Sequence, residues 1–302
     1  AGGVALNCVA NGKILRQKLF NKIWIQPAAG DAGGSLGAAQ ALWHNEFNKP
    51  RKIDKSDSMK GCYLGPSFSE SAIEQDLRSL GGIFSKHTKR EVIKKTAQAI
   101  SEDKAIGWFN GRMEFGPRAL GSRSILGNAK SHKTQKNLNL KVKFRESFRP
   151  FAPSVLEEEC SKWFDLNVSS PYMLLVSEIN ESKKILNQDN NLSGLDKLSS
   201  VRSEIPAVTH VDFSARIQTV SKETNTDYYE LIKEFFILTG CPVIVNTSFN
   251  VRGEPIVHSP KDAFKCFMGT NLDMLVLENF ILKKEDQDKK LLASYFNKYD
   301  LD

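Results

Sequence analysis

The stretch GWFNGRMEFGPRALGSRSIL, Gly107 to Leu126, places the tightest condition on how this chain can fold. Arg112, Arg118 and Arg123 fall within twelve residues, interleaved with Gly111, Gly116 and Gly121, and apolar side chains stand between them. Those apolar side chains must leave water, so the loop is drawn inward and its three cations are forced to converge. Glycine lets backbone N–H groups come close to a ligand, and a guanidinium offers a planar fork that matches phosphate oxygens. The combination predicts a cradle for an oxyanion or a polyphosphate. A solvated loop with incidental arginines is the competing reading, and the interleaved apolar residues argue against it.

Charge points the same way. Between Arg112 and Arg149 there are five Arg and five Lys against only Glu114 and Glu146, a net of +8, while the whole chain carries +7. A concentrated basic patch on a near-neutral remainder implies an anionic partner. The second half of that window, Lys141 to Phe151 (KVKFRESFRPF), places Lys143, Arg145 and Arg149 along a cleft if Val142, Phe144 and Phe148 turn inward. Glu146 then serves as an ion-pair partner that orients one arginine. A basic segment with interleaved aromatics can also bind nucleic acid. That reading is weaker here, because the aromatics look like core and the glycine–arginine pattern is too specialised for a general backbone contact.

Elsewhere the chain alternates between strand and helix signals. AGGVALNCVANGKIL opens as a strand already under way, so the expectation is a chain whose upstream portion is missing. Val4 to Val9 reads as a strand, Asn11-Gly12 as a hairpin turn and Lys13 to Phe20 as the return strand. PAAGDAGGSLGAAQALWHNEF reads as a glycine-rich turn entering a small-residue helix. Residues 1–46 thus form one unit, 47–60 a polar linker and 61–302 the main domain. Within that domain, helices are predicted over Ser69 to Leu80, Lys89 to Ile100, Tyr228 to Leu238 (closed by Gly240), Pro260 to Met268 and Leu291 to Phe296. Strands are predicted over Ala105 to Asn110, Tyr172 to Ile179, Pro242 to Val245 and Met274 to Leu277. Residues 181–200 are polar and read as a surface insertion. Elements mixed in this way, without strict βαβ order, give a mixed α/β (α+β) fold.

Two further stretches carry polar groups suited to a ligand. PVIVNTSFNVRGEPIV (Pro242 to Val257) is an apolar strand that empties into Asn246, Ser248 and Asn250, at the end of a strand where α/β proteins place small ligands. AVTHVDFSARIQTV (Ala207 to Val220) offers His210 as a ligand contact and Arg216 as a phosphate contact, with Asp212 between them. No G-x-x-x-x-G-K-[ST] loop, G-x-G-x-x-G fingerprint or H-E-x-x-H is present, so any ATP would need a different phosphate site. The five cysteines form no C-x-x-C pair and read as small buried hydrophobes, which suits a reducing cytoplasm. No apolar run approaches the roughly 20 residues of a membrane span.

GRMEFGPRALGSRSIL, KVKFRESFRPFAP, HVDFSARIQTV and NTSFNVRGEPIV, in this order, resemble the carbamoyltransferase family that modifies antibiotics and nodulation factors. The resemblance runs over nearly the whole chain. It implies a YrdC-like C-terminal domain, a twisted sheet flanked by helices, preceded by the end of an actin-like ATPase domain related to tRNA threonylcarbamoyl transferases. It also implies that carbamoyl phosphate and ATP, with Mg2+, are converted to carbamoyl adenylate for transfer to the hydroxyl of a small-molecule acceptor. Lys143, Arg118, Arg149 and Arg216 would carry the phosphates, and Arg112, Arg123 and Arg145 would shape the cradle. His210, Asn246, Ser248 and Asn250 would contact the nucleotide or the carbamoyl group. Asp31 falls where the family's N-terminal domain supplies an aspartate to Fe2+, although the paired histidines used there are absent from this chain. The missing N-terminal domain of the full protein would therefore be a partner in the transfer step. A threonylcarbamoyl-adenylate synthase and a basic RNA-binding module are the two competing readings.

Overall fold

The computed structural model describes residues 2–52, 57–185 and 200–296. In chain order the strands are β1 (Ser85–Lys86), β2 (Ile106–Phe109), β3 (Arg123–Asn128), β4 (Ala152–Leu156), β5 (Leu175–Glu178), β6 (Ser214–Val220), β7 (Val243–Ser248), β8 (Met274–Leu277) and β9 (Phe280–Lys283). Among the described residues they join in one sheet, ordered β1-β9-β8-β2-β3-β7-β4-β6-β5. β2 runs parallel to β8 and β4 parallel to β6, while the other pairs are antiparallel. The fold is therefore mixed α/β, as expected from the sequence.

Every residue of β2, β3, β4 and β8 is buried, without the alternation of a half-exposed sheet. Consecutive buried residues point to opposite sides of a strand, so both faces of the central sheet are covered. Helices α3 (Glu70–Ser79), α4 (Lys89–Ser101), α5 (His132–Lys141), α6 (Thr226–Thr239), α7 (Pro260–Met268) and α8 (Lys289–Phe296) supply much of that cover. α4 and α6 pack on each other and over the middle strands, whereas α7 lies on β8 and β2 with α3 and α8 against it. Sequence signals account for the ends of these helices. Ser69 accepts from Ala72 N at 3.3 Å, capping α3, and reciprocal capping boxes start α4 at Thr88 and α7 at Ser259. α6 ends at Gly240, as anticipated.

The first segment differs from expectation. Val4 to Val9 and Lys13 to Phe20 are not strands; Cys8–Gln17 is a helix, α1, with Asn11 and Gly12 in its middle. Asn7 Oδ1 accepts from Ala10 N at 3.1 Å and caps it. The Asn-Gly pair, a turn signal in isolation, is used for docking instead. Asn11 Nδ2 donates to Leu174 O at 3.2 Å, and a Cβ on Gly12 would stand 2.1 Å from Val176 O. Only glycine allows α1 to lie this close to β5, and that tertiary contact outweighs the local turn preference. α2 (Asp31–Ala41) follows the glycine-rich turn as predicted. Residues 186–199 of the polar stretch lie outside the described residues.

Candidate functional site

A cleft of about 520 Å³ opens where the end of β7 meets the starts of β4 and β6. Arg118, Arg145, Arg149, His210, Arg216, Asn246 and Ser248 line it, so most of the residues singled out from four separate stretches of sequence converge here. β6 presents Arg216, β7 presents Asn246 and Ser248, and the loops 117–119 and 145–151 close over them.

Arg118 and Arg216 have buried Nε atoms with no hydrogen-bond partner. Among the described residues no carboxylate pairs with either one. Burial and then the neighbouring Arg118 push the Arg216 guanidinium down to about 10. Arg145 is also lowered, by burial and then by Arg149. Cations that disfavour one another in a recess are held at a free-energy cost that a bound anion would relieve. Arg149 pairs with Glu146 at 3.7 Å, the arrangement anticipated for that acid, but both side chains are half exposed and the pair is weak.

Lys143 stands behind the cleft wall. Its Nζ donates to Ser248 O at 2.5 Å, Asn250 Oδ1 at 2.7 Å, Asn250 O at 2.9 Å and Ser248 Oγ at 3.3 Å. Burial pushes the ammonium down to about 7; the Cys266 thiol opposes that push and Arg145 adds to it. Asn250 Nδ2 in turn donates to Glu254 O at 2.7 Å, so Lys143 ties down the loop after β7. Val142 is buried, as the inward pattern requires, and Phe144 is partly buried; Phe148, at 46% exposed, is not turned inward. Asn246 donates to Gln218 Oε1 at 2.8 Å, Ser154 Oγ at 3.1 Å and Ala119 O at 3.2 Å, leaving its buried Oδ1 unpartnered.

On the rim, His210 Nδ1 lies 2.9 Å from Asp212 Oδ1, which also accepts from Ser214 Oγ at 2.6 Å and Ser214 N at 3.0 Å. Burial raises the Asp212 carboxyl, but these hydrogen bonds outweigh it and the group lies below the usual carboxylate range.

Three predicted residues lie elsewhere. Arg123 is fully buried, with its guanidinium 3.4 Å from the Phe109 ring centroid. Its Nη atoms donate to Ser122 O at 3.1 Å, Gly111 O at 3.2 Å, Pro66 O at 3.2 Å and Asn110 O at 3.4 Å. It is a strut that fixes the loop rather than part of the cradle surface, because β3 turns its side chain toward the core. Arg112 is exposed and donates to Leu64 O at 2.7 Å, outside the cleft. Asp31 is exposed at the start of α2. Among the described residues no three His, Cys, Asp or Glu gather as a metal site, so the residues present do not fit an iron ion on their own.

The structure adds residues that were overlooked. Glu114 is buried, and its Oε1 accepts from Leu120 N at 2.7 Å, Ser122 N at 2.8 Å and Arg123 N at 3.3 Å. Burial raises its carboxyl. It staples the turn that aims Arg118, and its being the one acid in the glycine–arginine stretch was the available signal. Gly121, at φ +106°, lies where a Cβ would strike Tyr228 at 2.3 Å, which fixes the same turn from the other side. Cys8 and Val9 of α1 complete one wall of the cleft.

Comparison with known proteins places the chain in a family. The "Carbamoyltransferase C-terminus" family model matches residues 97–284 and "Carbamoyltransferase N-terminus" matches residues 1–40. The uncharacterized protein sll1178 of Synechocystis is 52% identical, over 96% of this chain and 48% of its own length. Nodulation protein NolNO of Sinorhizobium fredii is 43% identical (94% of this chain, 39% of its own), and nodulation protein NolO of Bradyrhizobium diazoefficiens 40% identical (99% and 52%). The chain spans about half the length of these relatives or less. The matched region contains every residue of the cleft apart from Cys8 and Val9, which fall in the N-terminal match, and the chain belongs to the carbamoyltransferase family.

Proposed function

We propose that the cleft binds carbamoyl phosphate and ATP together and joins carbamate to the α-phosphorus of ATP, giving carbamoyl adenylate, phosphate and pyrophosphate. The observation that carries this reading is the convergence of Arg118 and Arg216, buried at Nε and unanswered by any described carboxylate, beside Arg145 and Arg149. Two phosphorylated substrates in one recess repel each other strongly. Fixed guanidinium groups offset that repulsion and stabilise the charge that develops on leaving pyrophosphate. A volume of about 520 Å³ suits a nucleotide-sized occupant.

In this reading Arg118, Arg149 and Arg216 hold phosphate oxygens. Lys143 sets the positions of Ser248 and Asn250, which with Asn246 contact the nucleotide or the carbamoyl group. Mg2+ enters with ATP and neutralises part of its charge. Transfer to the hydroxyl of a small-molecule acceptor follows in the full-length protein. Asp31 would hold Fe2+ there only with ligands that lie outside the described residues, and no step is assigned to it. The test is carbamoyl-phosphate-dependent ATP–pyrophosphate exchange. The wild-type protein should catalyse it, and Arg216→Ala should reduce it by about 100-fold or more without loss of folded protein. A folded wild-type protein that supports no exchange overturns the reading.

A further inference from the structure

The cleft needs carbamate, yet the substrate offered is carbamoyl phosphate, and a water molecule must be deprotonated to separate the two. The arginines cannot take that proton. Of the residues lining the cleft, His210 is the one whose ring is held by a carboxylate, Asp212, and that carboxylate is itself fixed by Ser214. His210 N–H donates to Ser214 O at 2.9 Å, so the backbone that carries the ring is also secured. The contact at Nδ1 leaves Nε2 for solvent or substrate, and the His210 side chain is 48% exposed, which lets water reach it. An imidazole held at one nitrogen by a carboxylate, beside cations that bind a phosphoryl group, has the parts of a general-base centre.

We propose that His210 is the general base that hydrolyses carbamoyl phosphate within the cleft, with Asp212 as its positioning residue. This inference rests on the reading of the cleft given above. Nε2 accepts a proton from water as the water oxygen bonds to phosphorus. The P–O bond to the carbamoyl group breaks, its electron pair leaves on the carbamate oxygen, and inorganic phosphate is released. Arg118 and Arg216 stabilise the phosphoryl oxygens, and the carbamate forms in the same recess as the nucleotide. The imidazolium then returns its proton to solvent at the open rim.

The test separates the two half-reactions in the full-length protein. Phosphate and pyrophosphate release are measured with ATP, once with carbamoyl phosphate and once with ammonium carbamate in its place. His210→Gln should lower enzymatic phosphate release by about 100-fold or more through kcat, with KM little changed, while carbamate-driven pyrophosphate release stays close to wild type. Asp212→Asn, whose amide oxygen can still accept from Ser214, should fall between the two. Addition of imidazole should restore part of the His210→Ala rate, a gain that a mere contact residue would not show. If His210→Gln releases phosphate at nearly the wild-type rate, or loses both branches equally, the base assignment is overturned. A wild-type protein that releases phosphate through His210 but no pyrophosphate from either substrate overturns the adenylation reading and leaves the base in place. One that releases neither overturns both.

Discussion

Two lysines, Lys143 buried and Lys284 half-buried, lie near the same thiol, Cys266, and in both desolvation pushes the ammonium down to about 7. Their neighbours differ. Lys143 donates to oxygens of Ser248 and Asn250 at the wall of the arginine cleft. Lys284 donates to the carbonyls of Phe267 and Thr270, at the C-terminal end of α7, and stands 4.0 Å from the Phe267 ring centroid. It faces a separate cavity of about 390 Å³ that also holds Asp103 and Asp273. There the acids are already engaged, Asp273 by Ala105 N at 2.7 Å and Asp103 by Asn128 and Ser131. Lys284 therefore caps a helix among balanced charges, whereas Lys143 supports a recess with cations in excess. A depressed ammonium shows only that a lysine has left water; its surroundings decide what it does.

The difference between the two regions can be broken or sharpened by substitution. The largest effect is expected in the cleft itself: Arg118→Ala should match Arg216→Ala, with exchange activity down about 100-fold and a melting temperature near wild type. Next comes the pair of lysines. Lys143→Met should lower activity by about tenfold or more, while Lys284→Met should stay within about threefold of wild type. Both should lose roughly 1–3 kcal/mol of stability in urea titrations, because each leaves buried acceptors unpaired. Equal activity loss in the two variants would erase the distinction.

A smaller effect is expected from pH. A lysine at about 7 when folded and near 10.5 when unfolded binds fewer protons in the folded state between those values, so stability rises with pH across that window. Below about 7 both states are protonated and the cost of burying the charge is fully present. The wild-type urea midpoint should therefore gain more between about pH 7 and 9.5 than that of the Lys143→Met/Lys284→Met variant. Glu114 works in the opposite direction and cancels in this difference. The smallest effect belongs to Arg112→Ala, which should change exchange activity by no more than about twofold, since its guanidinium meets a backbone carbonyl outside the cleft.

Much of the architecture was legible where one signal dominated. The apolar runs at Ile106–Phe109 and Met274–Leu277, and the caps at Ser69, Ser259 and Gly240, are local features that tertiary structure left alone. β3 was not legible, because RSILGN begins with an arginine and lies inside a stretch dominated by glycine and charge; four carbonyls, the Phe109 ring and the nearby Glu114 and Glu278 carboxylates make Arg123 acceptable in the core. α1 was misread because Asn11-Gly12 signals a turn until β5 is placed against it. For the site, charge and spacing singled out Arg118, Arg145 and Arg149, but grouping them with Arg216 came from the family resemblance, and the expected convergence of Arg112 and Arg123 with Arg118 does not occur. Which arginine of the glycine-rich stretch faces the ligand could not be foreseen, since strand register alone sends Arg123 inward and leaves Arg118 on the loop.

The seating of α1 on β5 has a mechanical consequence. The helix is tied to the sheet edge through the Val176 carbonyl, where Arg16 donates at 2.8 Å and Gly12 leaves no room for a methyl group. Its first turn then reaches over to form part of the cleft through Cys8 and Val9. A segment that matches one half of the family's architecture thus serves as a jaw for a recess built by the other half. The width of the arginine recess therefore depends on how α1 is seated on β5, because Cys8 and Val9 supply that wall.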